Sequence, residues 1–503
     1  MKKISLVVVL IMQLCASGLA QRRFPQQRPA PLPDRSQKPA TSPDRPQKPA
    51  PQDDDDVVRI TTNLVQVDAV VTDKNGKPVT DLLPEEVEIH ENGKPQQITS
   101  FSYVSLDSGD PATASAPVKP AVPASPIPPV RLRPEQVRRT MALLVDDLGL
   151  SFESVFSVRR ALKKFVDEQL QPNDLVAIVR TTGGVGSLQA FTSDKRQLYA
   201  AIEKVRWYPL GRGKMQTFAP IEGIPPAAPF GGPPNLPKDE DPSAKPKEDL
   251  EEFRNERITD GTLGMVNHVV RGLRDLPGRK SVVLITDGFK ICKGLSETYA
   301  TSCKQMVDLM RTITDAANRA SVVIYTMDAR GLEPLGFTAA DNTSGRTTIE
   351  NEEEAKSRRQ EFGETQDGPD FLARETGGIA FRNSNDLAGG IKRFVADQKG
   401  YYVIGYRPDE ATFEKVGGRR KFHDLGLKVT RSGKFNVRMR SGFFGITDEE
   451  RVPVGLTPIS EMQAALNSPF GASGVHVRLT SLFANDPKQG SFMRSCFISG
   501  VVT

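Results

Sequence analysis

The sequence predicts an α/β fold, a doubly wound parallel sheet flanked by a small β-sandwich-like domain, on three observations. Between residues 138 and 398, unbroken apolar runs such as 141–145 and 282–285 mark strands buried on both faces. The stretches between those runs carry apolar residues at helical spacing, and strands alternating with helices imply right-handed crossovers and a parallel sheet. On either side, at 57–105 and 399–445, only strand and turn signals occur.

The elements follow in order. Residues 1–20 read as a signal peptide: Lys2 and Lys3 lead, 4–14 is mostly apolar, and Gly18-Leu19-Ala20 precedes Gln21. That apolar run is too short to span a bilayer, and Leu14 is too large for lipidation at Cys15. Residues 21–56 are a proline-rich linker with a near-repeat at 33–40 and 43–50. Its acidic run at 53–56 lacks the glycine and ligand spacing of a calcium loop. In 57–105, Ile60, Leu64, Val67, Ala69 and Val71 fit a strand, Val87-Glu88-Ile89-His90 alternates, and Asn75-Gly76 and Asn92-Gly93 are turns. Residues 106–137 form an Ala/Pro linker.

The region 138–398 opens with the strand at 141–145. A helix over 152–170 follows from Val155, Val158, Leu162, Phe165, Val166 and Leu170. Next come strands at 175–179 and 188–191, helices at 198–205 and 263–276, and the strand at 282–285. A helix at 306–320 and a strand at 322–325 lead to apolar stretches at 371–375 and 387–395. Segments 208–257 and 331–368 lack periodicity and are expected to be surface insertions. Strand signals return at 401–406, 425–430 and 435–440. These are expected to pair with 57–105, since neither set alone has strands enough for a core. Segment 446–503 reads as the start of a further domain, native or truncated, with a strand at 475–483 and nothing for it to pair with.

Composition narrows the function. Of 503 residues, 38% are hydrophobic and 26% charged, and 67 basic against 62 acidic residues leave only +5. That balance excludes a nucleic-acid partner, which needs a concentrated basic face. No apolar run of about 18 residues follows the signal, so no integral membrane segment is expected. The histidines His90, His268, His423 and His476 and the four cysteines are scattered, unlike a zinc motif. Cys292 and Cys303 either close a small disulfide loop or remain two buried thiols, and Cys496 is left odd. Thr182-Gly183-Gly184-Val185-Gly186 precedes a strand, so it is a turn and not a phosphate cradle. Nothing in the sequence sets an oligomeric state.

In an open α/β sheet, ligands bind outside the carboxyl ends of the strands. There the sequence offers Asp146-Asp147-Leu148-Gly149-Leu150-Ser151 and Thr286-Asp287-Gly288, and, before the helix at 263, Thr259-Asp260-Gly261-Thr262. Carboxylate and hydroxyl oxygens in such a cluster suit Mg²⁺ or Mn²⁺. Equally, such aspartates cap helices and satisfy loop amides, and Thr286-Asp287-Gly288 can be only a turn.

These motifs carry a family resemblance. With Asn63-Leu64-Val65-Gln66-Val67, Gly76-Lys77-Pro78-Val79, the segment Phe371-Leu372-Ala373-Arg374-Glu375-Thr376-Gly377-Gly378-Ile379-Ala380-Phe381 and the segment Tyr401-Tyr402-Val403-Ile404-Gly405-Tyr406-Arg407-Pro408, the chain resembles a von Willebrand factor type A-related domain of the acidobacterial exported type. The likeness covers about 57–445 and implies a Rossmann-like von Willebrand A domain. It also implies a metal-ion-dependent adhesion site of pattern Asp-x-Ser-x-Ser, with a loop threonine and a later aspartate. Counted from Asp146, leucines stand at both serine positions; counted from Asp147, Gly149 and Ser151 do. The implied metal set is Asp146, Asp147, Ser151, Thr262 and Asp287, degenerate by one or two serines. The implied function is an exported protein-binding or adhesion module, not an enzyme, that meets an acidic residue of a protein ligand in the periplasm, at the cell surface or outside. The alternatives are a structural envelope component without metal, and a metal-dependent hydrolase, which needs a general base that the strand-end motifs do not supply.

Overall fold

In a computed structural model the described residues are 64–105, 136–183, 191–213, 218, 221, 244–274, 276–291, 297–416, 419–445, 475–486 and 490–501. The signal peptide, the proline-rich linker, nearly all of the 106–137 linker and residues 446–474 lie outside them.

Strands β1 (Val65–Asp73), β2 (Val87–Glu91), β3 (Lys94–Gln96) and β4 (Ile98–Ser105) come first. After β1 the chain turns on Asp73, whose Oδ1 accepts from the Asn75 and Lys77 amides at 2.8 and 2.9 Å. Asn92 and Gly93 join β2 to β3 with φ of 50° and 77°, the pair of positive angles that a two-residue hairpin turn requires.

The next elements alternate. They are β5 (Arg139–Val145), α1 (Phe152–Glu168), β6 (Asp174–Arg180), α2 (Lys195–Glu203), α3 (Ala244–Leu273), β7 (Arg279–Thr286), α4 (Glu297–Arg319), β8 (Val322–Asp328), α5 (Thr348–Glu375), β9 (Ala380–Phe381) and α6 (Leu387–Asp397). Strands β6-β5-β7-β8-β9 pair in that order, all parallel. Alternate residues of β5 serve opposite faces: Met141, Leu143 and Val145 pack with α1, α2 and α6, while Ala142 and Leu144 pack with α3 and α4. Both faces are covered, which is why these strands are apolar without alternation. The result is a Rossmann-like layer of sheet between two layers of helix.

Strands β10 (Gly400–Tyr406), β11 (Lys415–Val416), β12 (Arg419–Arg420), β13 (Phe422–Val429), β14 (Phe435–Met439) and β15 (Gly442–Phe444) follow, then β16 (Val475–Asp486) and β17 (Gly490–Val501). One antiparallel sheet has the order β14-β1-β10-β4 and a second β15-β13-β2-β3. Strands from before the parallel sheet thus pair with strands from after it. The two sheets share one core, to which Val67, Ala69, Ile89, Tyr402 and Ile404 contribute fully buried or nearly fully buried side chains.

Four expectations need correction. The charged second part of 208–257 is helical from Ala244, so Thr259-Asp260-Gly261-Thr262 lies inside α3 and not in a loop. The second part of 331–368 is the first part of α5, which starts on a capping box between Thr347 and Glu350. The first turns of α5 carry mostly exposed polar residues, so no apolar stripe announces them. Helix α4 begins at Glu297, ahead of the expected 306. At the carboxyl end, β16 does have a partner, β17, with Val475 opposite Val501.

Residues 188–190 of the expected short strand, and Cys292, lie outside the described residues; Thr192 makes an antiparallel bridge to Val176. Cys303 is disulfide-bonded. Among the described residues no helix is long and apolar enough to cross a membrane.

Candidate functional site

The order β6-β5-β7 creates a switch point. The chain leaves β5 for β6 on one side and later returns to β7 on the other, so the loops after β5 and β7 part and leave a crevice at the carboxyl edge. The register brings Val145 opposite both Arg180 and Ile285, which levels the three strand ends. Asp146, Thr181 and Thr286 therefore emerge side by side.

Asp146 is fully buried and wrapped in donors. Its Oδ1 accepts from the Thr262 hydroxyl at 2.9 Å and, at 3.4 Å, faces the Thr181 hydroxyl. Its Oδ2 accepts from Thr286 Oγ1 at 2.8 Å and from Arg212 Nη2 at 2.7 Å. Position 262 works from within the helix: α3 places Thr259 and Thr262 one turn apart, and Thr259 Oγ1 accepts from Arg212 Nη1 at 2.6 Å.

Asp147 turns the other way. Its carboxylate accepts from the Thr181 hydroxyl at 2.8 Å, the Thr182 amide at 3.0 Å and the Thr182 hydroxyl, with Arg180 Nη1 at 3.6 Å. Ser151 is the N-cap of α1 and accepts from the Ser154 amide at 3.2 Å. Its own amide donates to Asp287 Oδ2 at 2.7 Å. The five expected residues thus gather at one edge in two groups, Asp146 with Thr262 and Ser151 with Asp287, while Asp147 faces the end of β6.

Asp287 is the electrostatic exception. Its Oδ1 is buried and accepts no hydrogen bond. Burial pushes its pKa up to about 6; the Ser151 amide and Ser154 hydroxyl lower it, Asp328 raises it and Arg330 lowers it. An acid with a raised folded value contributes stability below its unfolded value of 3.8 and loses it as pH climbs through about 6. Asp287→Asn is therefore expected to melt higher than wild type at pH 8 and to match it near pH 4. An equal difference at both pH values would show that a buried charge is not the cause. Gly288 follows at φ +88°, and a Cβ there would lie 2.4 Å from the Thr365 carbonyl, so the tripeptide is tied to α5 as well as being a turn.

A divalent ion finds a poor donor set here. The lone pairs of Asp146 are taken by hydroxyls and a guanidinium, Asp147 is saturated by Thr181 and Thr182, and the Ser151 hydroxyl caps a helix. Of these side chains Asp287 keeps an unpaired buried oxygen, so a hard cation with six or more ligands would have to draw most of them from water, in a place that offers water little access. Arg212, Thr181 and Thr182 are not among the site residues expected from the sequence, and Thr182 figures there only in a glycine-rich turn. The signal for the first is a lone arginine between Gly211 and Gly213, and for the others a threonine pair directly after an apolar strand.

No protein-family model matches this chain, and no curated protein matches it.

Proposed function

We propose that the chain is an exported, von Willebrand A-like protein-binding module that recognises its ligand at the carboxyl edge of the parallel sheet, with the paired β-sheets of 64–105 and 400–445 as a flanking β-sandwich-like spacer. The observation that carries this is where large apolar side chains stay exposed. Phe152 and Phe156 lie one turn apart at the start of α1, directly after the Asp146 loop. Leu210 precedes Arg212, and Phe253 lies six residues, about 9 Å of helix, ahead of Thr259. Phe152 packs edge-on against Trp207 at 5.9 Å between ring centroids. Exposed aromatic and aliphatic groups that neighbour the crevice residues along the chain offer the kind of surface expected of a protein-recognition edge.

The chemistry favours binding over hydrolysis. The groups around Asp146 are threonine hydroxyls and a guanidinium, none of which takes a proton from water at neutral pH, and Asp287, whose pKa is raised, keeps its unpaired Oδ1 buried away from the water it would have to activate. The disulfide at Cys303 supports an oxidising compartment, consistent with export to the periplasm or cell surface.

The test is capture of envelope proteins by immobilised mature protein, wild type against Phe152→Glu/Phe156→Glu. A specific captured protein is expected to fall at least about tenfold in the variant, the loss of about 1.4 kcal/mol of binding. Capture that is unchanged by the substitution would place recognition elsewhere.

A further inference from the structure

We infer that the Arg212 guanidinium holds the place that a divalent cation would take, making the crevice a metal-independent site built around a fixed organic cation. This rests on the crevice being the recognition edge but concerns only its cation.

Arg212 sits on the central carboxylate of the crevice, 2.7 Å from Asp146 Oδ2, with its side chain 13% exposed. Its other terminal nitrogen is fixed by Thr259. Its guanidinium carbon lies 5.8 Å from the centre of the buried Phe289 ring, an apolar neighbour that suits a guanidinium better than a hydrated ion.

The backbone is shaped to deliver it. The Arg212 amide donates to the Leu148 carbonyl at 2.6 Å, the Gly213 amide donates to the same oxygen at 3.3 Å, and the Trp207 indole N–H donates to the Gly213 carbonyl at 3.2 Å. A Cβ at Gly211 would stand 2.5 Å from the Leu148 carbonyl oxygen, and one at Gly213 2.0 Å from that of Leu150. Both neighbours of Arg212 must therefore lack side chains for the segment to lie against the Asp146 loop.

Gly149 closes the case. A Cβ there would be 2.1 Å from Asp146 Oδ2 and 2.4 Å from Arg212 Nη2. Counted from Asp147, position 149 is where a serine ligand belongs, so a serine at 149 and the arginine from 212 compete for one volume. Arg212 also neutralises Asp146, which removes the charge that would draw a second cation.

The probe is Mn²⁺ with the mature protein, followed by electron paramagnetic resonance and by thermal melting with and without EDTA. Wild type is expected to show no saturable Mn²⁺ binding below about 1 mM, the weak end of extracellular cation sites, and no EDTA-dependent shift in melting. Arg212→Ser, which frees Asp146, is expected to gain Mn²⁺ affinity by at least about tenfold. Saturable binding by wild type that Asp146→Asn abolishes overturns the inference, as does a folded Arg212→Ser with no gain. Should that variant fail to fold, the wild-type titration still decides. Neither readout depends on whether the Phe152 and Phe156 face captures a partner.

Discussion

Asp146→Ala is expected to lower the folding free energy by about 3–5 kcal/mol, the usual cost of removing one partner from a buried, hydrogen-bonded ion pair. The measurement is the urea midpoint at unchanged slope. The loss has two sources. Arg212 would keep its largely buried position without a counter-charge, and the Thr286 hydroxyl would lose its acceptor, while the Thr262 hydroxyl would be left with the Ile258 carbonyl at 3.1 Å. The two can be separated. Arg212→Met removes the cation and keeps the apolar stem, so adding it to Asp146→Ala should recover part of the loss. The expected coupling lies in the range of about 0.5–3 kcal/mol found for residues in one network. If the two substitutions are additive and each costs under about 1 kcal/mol, the pair behaves as a solvated surface bridge, and Arg212 does not hold the edge together.

What was legible in the sequence follows from the same physics. The central strands show because burial on two faces demands unbroken apolar residues, as at 141–145 and 282–285. Asp146 and Thr286-Asp287 show because polar groups directly after such runs have nowhere to go but the strand-end crevice. Arg212 could not be read this way. Its contact with Asp146 spans 66 residues, and it comes from a segment without periodicity. Thr262 was legible as a donor but not as a helical residue, because the turns of α3 before it carry charges at most positions. The start of α5 had a usable signal, Thr347 and Glu350 three apart, in a stretch whose lack of an apolar stripe hid the helix. The hairpin partner of β16 does not stand out in the sequence because 490–501 mixes small, polar and apolar residues, with Arg494 among them.

The second large effect is expected far from the crevice, in the core of the antiparallel sheets. The alternation along β2 turns Val87, Ile89 and Glu91 to one side, which makes Glu91 an inward carboxylate, 4% exposed. It is held by residues from several elements. The Tyr406 hydroxyl of β10 donates to it at 2.8 Å, the Thr412 hydroxyl at 2.7 Å, and His423 Nδ1 of β13 lies 2.9 Å away. Burial first, and then the charge of Glu91, raise the Tyr406 pKa, so that proton stays in the hydrogen bond. Glu91→Ala strands the Tyr406 and Thr412 hydroxyls in an apolar core, at about 1–3 kcal/mol for each one left unsatisfied, for an expected total of about 3 kcal/mol or more, while His423 Nδ1 keeps Asn92 Nδ2 at 3.0 Å. Glu91→Gln should cost less, because its amide can accept one hydroxyl and turn its donor on another. Because Glu91 links β2 of one sheet to β10 of the other, amide exchange is expected to rise across 65–105 and 400–445 while the 139–180 strands stay protected. Asp146→Ala should give the reverse pattern. Exchange that rises equally in both regions after either substitution would mean that the parallel and antiparallel sheets unfold as one cooperative unit, so that the flanking sheets help hold the crevice and are more than a spacer.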